Sequence, residues 1–253
     1  MPDAQSEKNY SNHTTPLISV VIPAYNEGKY ISSCLEALVK QKTTRRFEVI
    51  VVNNNSSDDT IKISNKFTEK LQLKIILAKH QGRGSARFAG FKKALGQIIL
   101  STDADASVPE NWLEKIVARF ESDPRLIAIT GVCKIVDSSF LTNTLFNFFQ
   151  PAAMRIYRLI YGHYWLSGFN FAISKEAYLT SGGFNPELNS QEDIDLSFKV
   201  NRICRIEFLP DLCVTVSGRR FRNGLLRGVA PYFKTFVSYF WLKRKDVYLD
   251  NPR

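Results

Sequence analysis

Two carboxylates flanking one small residue, Asp103-Ala104-Asp105, directly follow the apolar run Ile98 to Thr102. In an extended chain residues i and i+2 project to the same side, so both acids address one point. Hard divalent cations take carboxylate oxygens and let phosphate complete the shell; the segment therefore suits Mn2+ or Mg2+ on a pyrophosphate. Acids in such places also open turns and cap helices, and Asp105 stands ahead of the helical pattern after Pro109. On these residues alone both readings stand. A second acidic group, Glu192, Asp193 and Asp195, opens another helical pattern. Acids suit a helix N-terminus electrostatically, and a positioned carboxylate can also take a proton from an attacking hydroxyl. Arg87 follows the glycine turn Gly82-Arg83-Gly84 and offers a fixed guanidinium to phosphate, or a solvated helix residue.

These groups need a scaffold, and the chain alternates short apolar runs with helical spacing. Leu17 to Ile22, Phe47 to Val52, Leu73 to Ala78 and Ile98 to Thr102 read as strands. Between them Ile31, Leu35, Leu38 and Val39 recur at helical spacing, Asp58 to Leu71 forms a second helical pattern, and Ser85 to Leu95 a third. This alternation predicts βαβ units and a mostly parallel sheet flanked by helices, whose ligands bind beyond the carboxyl ends of the strands. The polar runs Pro23-Ala24-Tyr25-Asn26-Glu27 and Asn53 to Thr60 fall at such ends, as does Asp103. After a further strand, Leu126 to Val132, the pattern turns aromatic. Phe140 to Trp165 reads as helix, Phe169 to Ile173 as strand, and a region from about Ile194 to Asn201 as helix.

The 253 residues, 44% of them hydrophobic, suit one α/β domain. The expected organisation is a polar tail over 1–15, a domain over 16–218 with a donor half to about 132, and a basic aromatic segment over 219–253. The four cysteines show no C-x-x-C pair and read as reduced. A net charge of +10 favours anionic ligands or surfaces, yet no nucleic-acid-binding motif accompanies it, so no nucleic-acid partner is expected. Arg219, Arg220, Arg222 and Arg227 precede an aromatic stretch that Lys243, Arg244 and Lys245 follow. That is the pattern of an interfacial helix, or of a helix packing its aromatic face on the domain. No run reaches the roughly 20 apolar residues a bilayer span needs, and Met1 to Thr15 lacks a signal-peptide core. The expected location is cytoplasmic, peripheral at the inner face of the plasma membrane.

Five blocks then match one family in order: Pro23-Ala24-Tyr25-Asn26-Glu27, the loop Asn53 to Thr60, the G-x-x-x-A-R stretch Gly82 to Arg87, the Asp103-Ala104-Asp105 triplet, and Gly182-Gly183-Phe184 with Glu192-Asp193-Ile194-Asp195-Leu196. On these the chain resembles the family 2 glycosyltransferases, with the GT-A nucleotide-sugar-binding fold. The resemblance implies transfer of one sugar, with inversion and a divalent metal, from a UDP-, GDP- or dTDP-sugar to a sugar or lipid-linked acceptor in cell-envelope polysaccharide or glycolipid synthesis. Pro23, Ala24, Tyr25, Glu27, Asn53, Arg87, Asp103 and Ala104 would bind the donor, and Asp105 with Asp103 the metal. Asp193 would be the general base, and Gly168, Asn170, Gly183, Phe184 and Glu192 would lie by the acceptor. Asn53 stands where the family usually has an aspartate; an amide both donates and accepts, so base preference is open. The chain lacks the Q-x-x-R-W pattern of processive synthases, which implies single addition. The alternatives are an idle nucleotide-sugar-binding relative or a nucleotidyltransferase. The second normally carries a glycine-rich loop where this chain has Pro23 to Glu27.

Overall fold

The structure is a computed structural model and describes residues 17–242; the expected tail over 1–15 and the basic cluster Lys243 to Lys245 lie outside that range. Its strands are β1 (Ile18–Ala24), β2 (Phe47–Asn53), β3 (Leu73–Leu77), β4 (Ile98–Ser101), β5 (Ala106–Ser107), β6 (Ala128–Lys134), β7 (Phe171–Ser174) and β8 (Ile206–Val216). The helices are α1 (Ile31–Val39), α2 (Thr60–Asn65), α3 (Arg83–Lys93), α4 (Trp112–Ser122), α5 (Phe140–Tyr161), α6 (Lys175–Thr180), α7 (Glu192–Asn201) and α8 (Leu225–Phe240). One eight-stranded sheet runs in the order β3-β2-β1-β4-β7-β6-β8-β5.

The apolar runs form the interior strands because both faces of the sheet are covered. Val20, Ile22, Val49 and Val51 enter one core with α1 and α4. Their neighbours Val21, Ile50 and Val52 enter the other with Phe91 of α3 and Phe171 of β7. Successive side chains on opposite faces impose this division. Pro23 is tolerated in β1 because β4 pairs only as far as Val21, so the missing N–H falls past the end of that ladder.

The sheet has the expected parallel centre, with antiparallel pairings added at β7 and β5. β1, β2, β3 and β4 are parallel neighbours, but β7 runs antiparallel between β4 and β6. The βαβ alternation holds through β4, and beyond it the long helix α5 joins β6 to the antiparallel β7. The second helical pattern is shorter than its spacing suggested: α2 ends at Asn65 and turns follow. The described part of the segment beyond 218, as far as 242, packs on the domain through α8. Tyr161 of α5 meets Phe236 and Phe240 of α8 with ring centroids 6.2 and 5.4 Å apart, and Tyr239 donates to Asp195 of α7 at 2.8 Å.

Candidate active site

β1 and β2 end in loops that lock together. Asn26 takes a left-handed backbone with φ 55°; its N–H donates to Ser56 Oγ at 3.1 Å and its side-chain oxygen accepts from the Ser57 N–H at 2.8 Å. The Glu27 N–H donates to Thr60 Oγ1 at 2.8 Å and the Gly28 N–H to Asp58 at 2.9 Å. Asn53 accepts from the Ser56 N–H at 2.9 Å. Asn54 bridges to the next loop, donating to the His80 carbonyl and accepting from the Gly82 N–H, both at 2.8 Å. The polar residues after β2 therefore hold the shape of the cleft edge, with Tyr25 and Asn53 half-buried along it.

β4 delivers Asp103 to a buried arginine. Arg87, on α3 and 3% exposed, donates from Nε to Ser101 Oγ at 3.2 Å, from Nη1 to Glu192 at 2.5 Å and from Nη2 to Asp103 Oδ1 at 2.6 Å. Three of its N–H donors go to these groups, so Arg87 is the clamp that joins the Asp103 loop to the start of α7. Burial works against its charge, but Asp103, Glu192 and Asp193 outweigh it and raise the pKa.

Asp193 sits beside the clamp. Its Oδ2 accepts from the Gly168 N–H at 3.0 Å and its Oδ1 from the Ile194 N–H at 2.9 Å. Burial and the neighbouring Glu192 push its carboxyl up to about 6 against the pull of Arg87 and the two N–H donors. Gly168 is required for close approach: a Cβ there would lie 2.6 Å from Arg87 Nη2 and 3.1 Å from Asp193 Oδ2. Asp195, the third acid of that group, is paired with Lys199 at 2.9 Å and holds α8 through Tyr239.

Asp105 meets a second guanidinium, Arg219, one of the four arginines that precede the aromatic stretch. Arg219, in the 3-10 turn Arg219–Phe221, grips Glu27 with bonds of 2.9 and 2.6 Å, reaches Asp105 Oδ2 at 3.1 Å and lies 4.7 Å over the Tyr30 ring. Burial and Asp103 raise the Asp105 carboxyl to about 7; Arg219 opposes them and Glu27 adds to them. Asp105 caps no helix, since α4 starts behind Asn111. Glu27, expected at the nucleoside, is buried and tied to Arg219.

Two expected acceptor contacts lie in the core. Asn170 is fully buried; its amide donates to the Val132 and Leu212 carbonyls at 2.9 and 2.7 Å and its oxygen accepts from Trp112 Nε1 at 2.9 Å. Phe184 is packed among Phe91, Phe171 and Tyr178. Both position β6, β7 and α3 rather than line a cleft. Gly183, with φ 61°, gives its carbonyl to Lys199 at 2.9 Å. Replacing Asn170 with Ala would strand two carbonyls and an indole N–H inside the fold. The expected cost is about 3 kcal/mol or more, at roughly 1–3 kcal/mol for each of the three unsatisfied groups, read as a lowered midpoint in urea unfolding.

Among the described residues no group of three or more His, Cys, Asp or Glu side chains could hold a metal ion. Magnesium, however, is commonly held by one or two carboxylates plus substrate phosphates. Asp103, with 38% of its side chain exposed, and Asp105 fit that mode.

The parallel strands whose carboxyl ends carry the locked loops and paired acids, with β7 inserted antiparallel beside them, make this a GT-A fold, the architecture of nucleotide-sugar glycosyltransferases. The chain belongs to glycosyl transferase family 2, whose sequence model matches residues 19–180. It is 30% identical over 93% of its length to the probable glycosyltransferase YdaM of Bacillus subtilis, spanning 60% of that protein. Poly(ribitol-phosphate) beta-N-acetylglucosaminyltransferase TarS of Staphylococcus aureus is 36% identical over 45% of the chain and 21% of that protein. The chain thus spans three fifths or less of these two relatives. Among solved structures, TarS with UDP-GlcNAc superposes with a TM-score of 0.64 at 24% identity, covering 79% of this chain and 58% of that one. The mannosyltransferase PcManGT of Pyrobaculum calidifontis, in complex with GDP-Man and Mn2+, gives 0.63 at 23% identity, covering 87% and 65%.

Proposed function

We propose that the chain transfers a single sugar from a nucleoside-diphosphate sugar to an acceptor hydroxyl, with inversion and with Mn2+ or Mg2+. The observation that carries this reading is the cluster beyond β4, where Arg87 draws Asp103 and Glu192 together and Gly168 presents its N–H to Asp193. The first two loops take the nucleoside, along Pro23, Ala24, Tyr25 and Asn53. Asp105 and Asp103 would hold the cation, which supplies charge neutralisation of the departing diphosphate. Asp193 takes the proton of the acceptor hydroxyl as it attacks the anomeric carbon. A base is most effective when its pKa lies near the working pH, and burial has moved Asp193 toward that range. The named complexes of TarS and PcManGT with UDP-GlcNAc and GDP-Man support a nucleotide-sugar donor.

Arg219 touches Asp105 at Oδ2, so Oδ1 would remain for a cation held together with Asp103, and the guanidinium beside it would add positive charge near the diphosphate. The acceptor is a sugar or lipid-linked hydroxyl of cell-envelope synthesis, met by a protein in peripheral contact, through its basic aromatic C-terminal segment, with the inner face of the plasma membrane. No helix among the described residues is long and apolar enough to cross a membrane.

The deciding experiment is a thermal-shift series with UDP, GDP and dTDP, each with and without Mn2+. One nucleotide at about 100 times its Kd should add about 2.7 kcal/mol of stability in the presence of Mn2+. Asp105→Ala should lose most of the Mn2+-dependent part. Binding indifferent to the metal, in both proteins, would remove the triplet from the donor site.

A further inference from the structure

Helices α5 and α8 carry an apolar surface that the domain does not use. An amphipathic helix on a water-soluble domain turns its apolar stripe inward. α8 does so only in part: Phe236 and Phe240 pack on Tyr161 and its buried residues are Gly228, Thr235 and Ser238, while Leu226 is 85% and Phe233 67% exposed and Trp241, just past its end, is 80% exposed. Leu226, Val229 and Phe233 follow one another at helical spacing along this outward face. α5 is apolar on both sides. It buries Thr142, Met154 and Tyr157, yet Leu159 is 85% and Phe148 71% exposed, with Leu141, Phe149, Ile156 and Ile160 also outward.

The two helices lie side by side. Phe146 of α5 meets Phe221 ahead of α8 with centroids 4.7 Å apart, and Tyr161 at the far end of α5 meets Phe236 and Phe240. Contacts at both ends align the helices in the same direction, so their outward faces join into one ridge. Exposed apolar surface on this scale marks an interaction site.

Charge selects the occupant. Neither Ser138 to Lys175 nor Leu212 to Lys245 contains a single Asp or Glu, while Arg155, Arg158, Arg222, Arg227 and Lys234 stand along the two helices. All five are exposed. Exposed apolar side chains, with Trp241 and Tyr232 among them, on segments whose own charges are all positive are what an anionic lipid surface accepts.

We propose that α5 and α8 together form a two-helix platform that seats on an anionic membrane, with α5 supplying apolar anchors equal in weight to those of the C-terminal segment. This placement rests on the peripheral-membrane reading above and adds to it an element some 80 residues earlier in the chain. It also places the chemistry. α8 is bonded to α7 through Gln191 to Thr235 at 2.9 Å and Tyr239 to Asp195, and α7 begins with Glu192 and Asp193. The platform therefore stands one helix from the carboxylate read as the base, within reach of a hydroxyl carried on a lipid head.

The test is sedimentation of the full chain with vesicles of phosphatidylcholine alone and of phosphatidylcholine with phosphatidylglycerol, at low and high salt. Binding is expected only to the anionic vesicles, weakening with salt as exposed charges are screened. The variant Phe148→Ser/Ile156→Ser/Leu159→Ser should bind at least tenfold more weakly while its thermal shift with nucleoside diphosphate stays unchanged. Hydrogen exchange on the wild-type chain with anionic vesicles gives a readout that needs no variant: slowing is expected over both 140–161 and 225–240. Wild-type binding with slowing confined to 225–240, or undiminished in the triple variant, overturns the role of α5 and leaves the peripheral reading standing. No vesicle binding at all overturns both. If light scattering then shows a dimer that the triple variant dissolves, a second copy of the chain covers the ridge.

Discussion

Asp193→Asn is expected to lower the transfer rate by about a thousandfold, within the 10²–10⁴ range of a lost general base, while the affinity for nucleoside diphosphate and Mn2+ stays within about twofold. The separation follows from position: the nucleotide contacts are assigned to the loops after β1, β2 and β4, whereas Asp193 is held by the Gly168 and Ile194 N–H groups at the start of α7. Both carboxylate oxygens accept those bonds, and an amide can offer only one oxygen to two donors. The variant therefore also loses about 1–3 kcal/mol of stability, and the rates are to be compared well below its unfolding transition. A base acts only when ionised. With the Asp193 carboxyl pushed up to about 6 by burial and Glu192, wild-type activity should rise with pH through about 6 and level off above it. In the variant that ascending limb should vanish with the rate. Near wild-type turnover in the variant, or an unaltered limb, would take Asp193 out of the mechanism.

The sequence carries the donor half plainly because its strands are buried on both faces. β1, β2 and β4 are largely apolar runs in which Ser19 and Glu48 stand near the starts, while Pro23, Asn53 and Asp103 stand at or just past the carboxyl ends. The second half is less legible because its geometry is set by long-range packing. Nothing in Phe171–Ser174 announces that it runs antiparallel between β4 and β6, since direction depends on where α5 returns the chain. Arg219 reaches Glu27 across 192 residues, and no local pattern distinguishes it from Arg220. Asn170 and Phe184 matched acceptor-side positions by type, yet hydrogen bonding and aromatic packing draw both into the core. For α8 the residue types alone left interface and packing undecided; the structure divides the aromatics, packing Phe236, Tyr239 and Phe240 on the domain and leaving Phe233 and Trp241 outward.

Arg87→Met should be the most damaging single change for the fold and the site together. The methionine keeps the apolar stem but leaves Asp103 and Glu192 without the cation that joins them, and Glu192 is 3% exposed. Breaking a buried pair from one side costs about 3–5 kcal/mol because the remaining charge has no compensation. For a chain of this size that lowers Tm by on the order of 10 °C, readable by calorimetry. The same change removes the charge that holds the Asp193 carboxyl down, so whatever activity survives should rise with pH through a limb above about 6. Arg87→Lys separates the two effects. Its single ammonium retains the positive charge near Asp193 but cannot fork to Ser101, Glu192 and Asp103 at once, so it should recover most of the pH profile and only part of the lost Tm. A lysine variant as stable as the wild type would show that the three-way clamp does not organise the site, and a methionine variant with an unmoved limb would show that Arg87 does not tune Asp193.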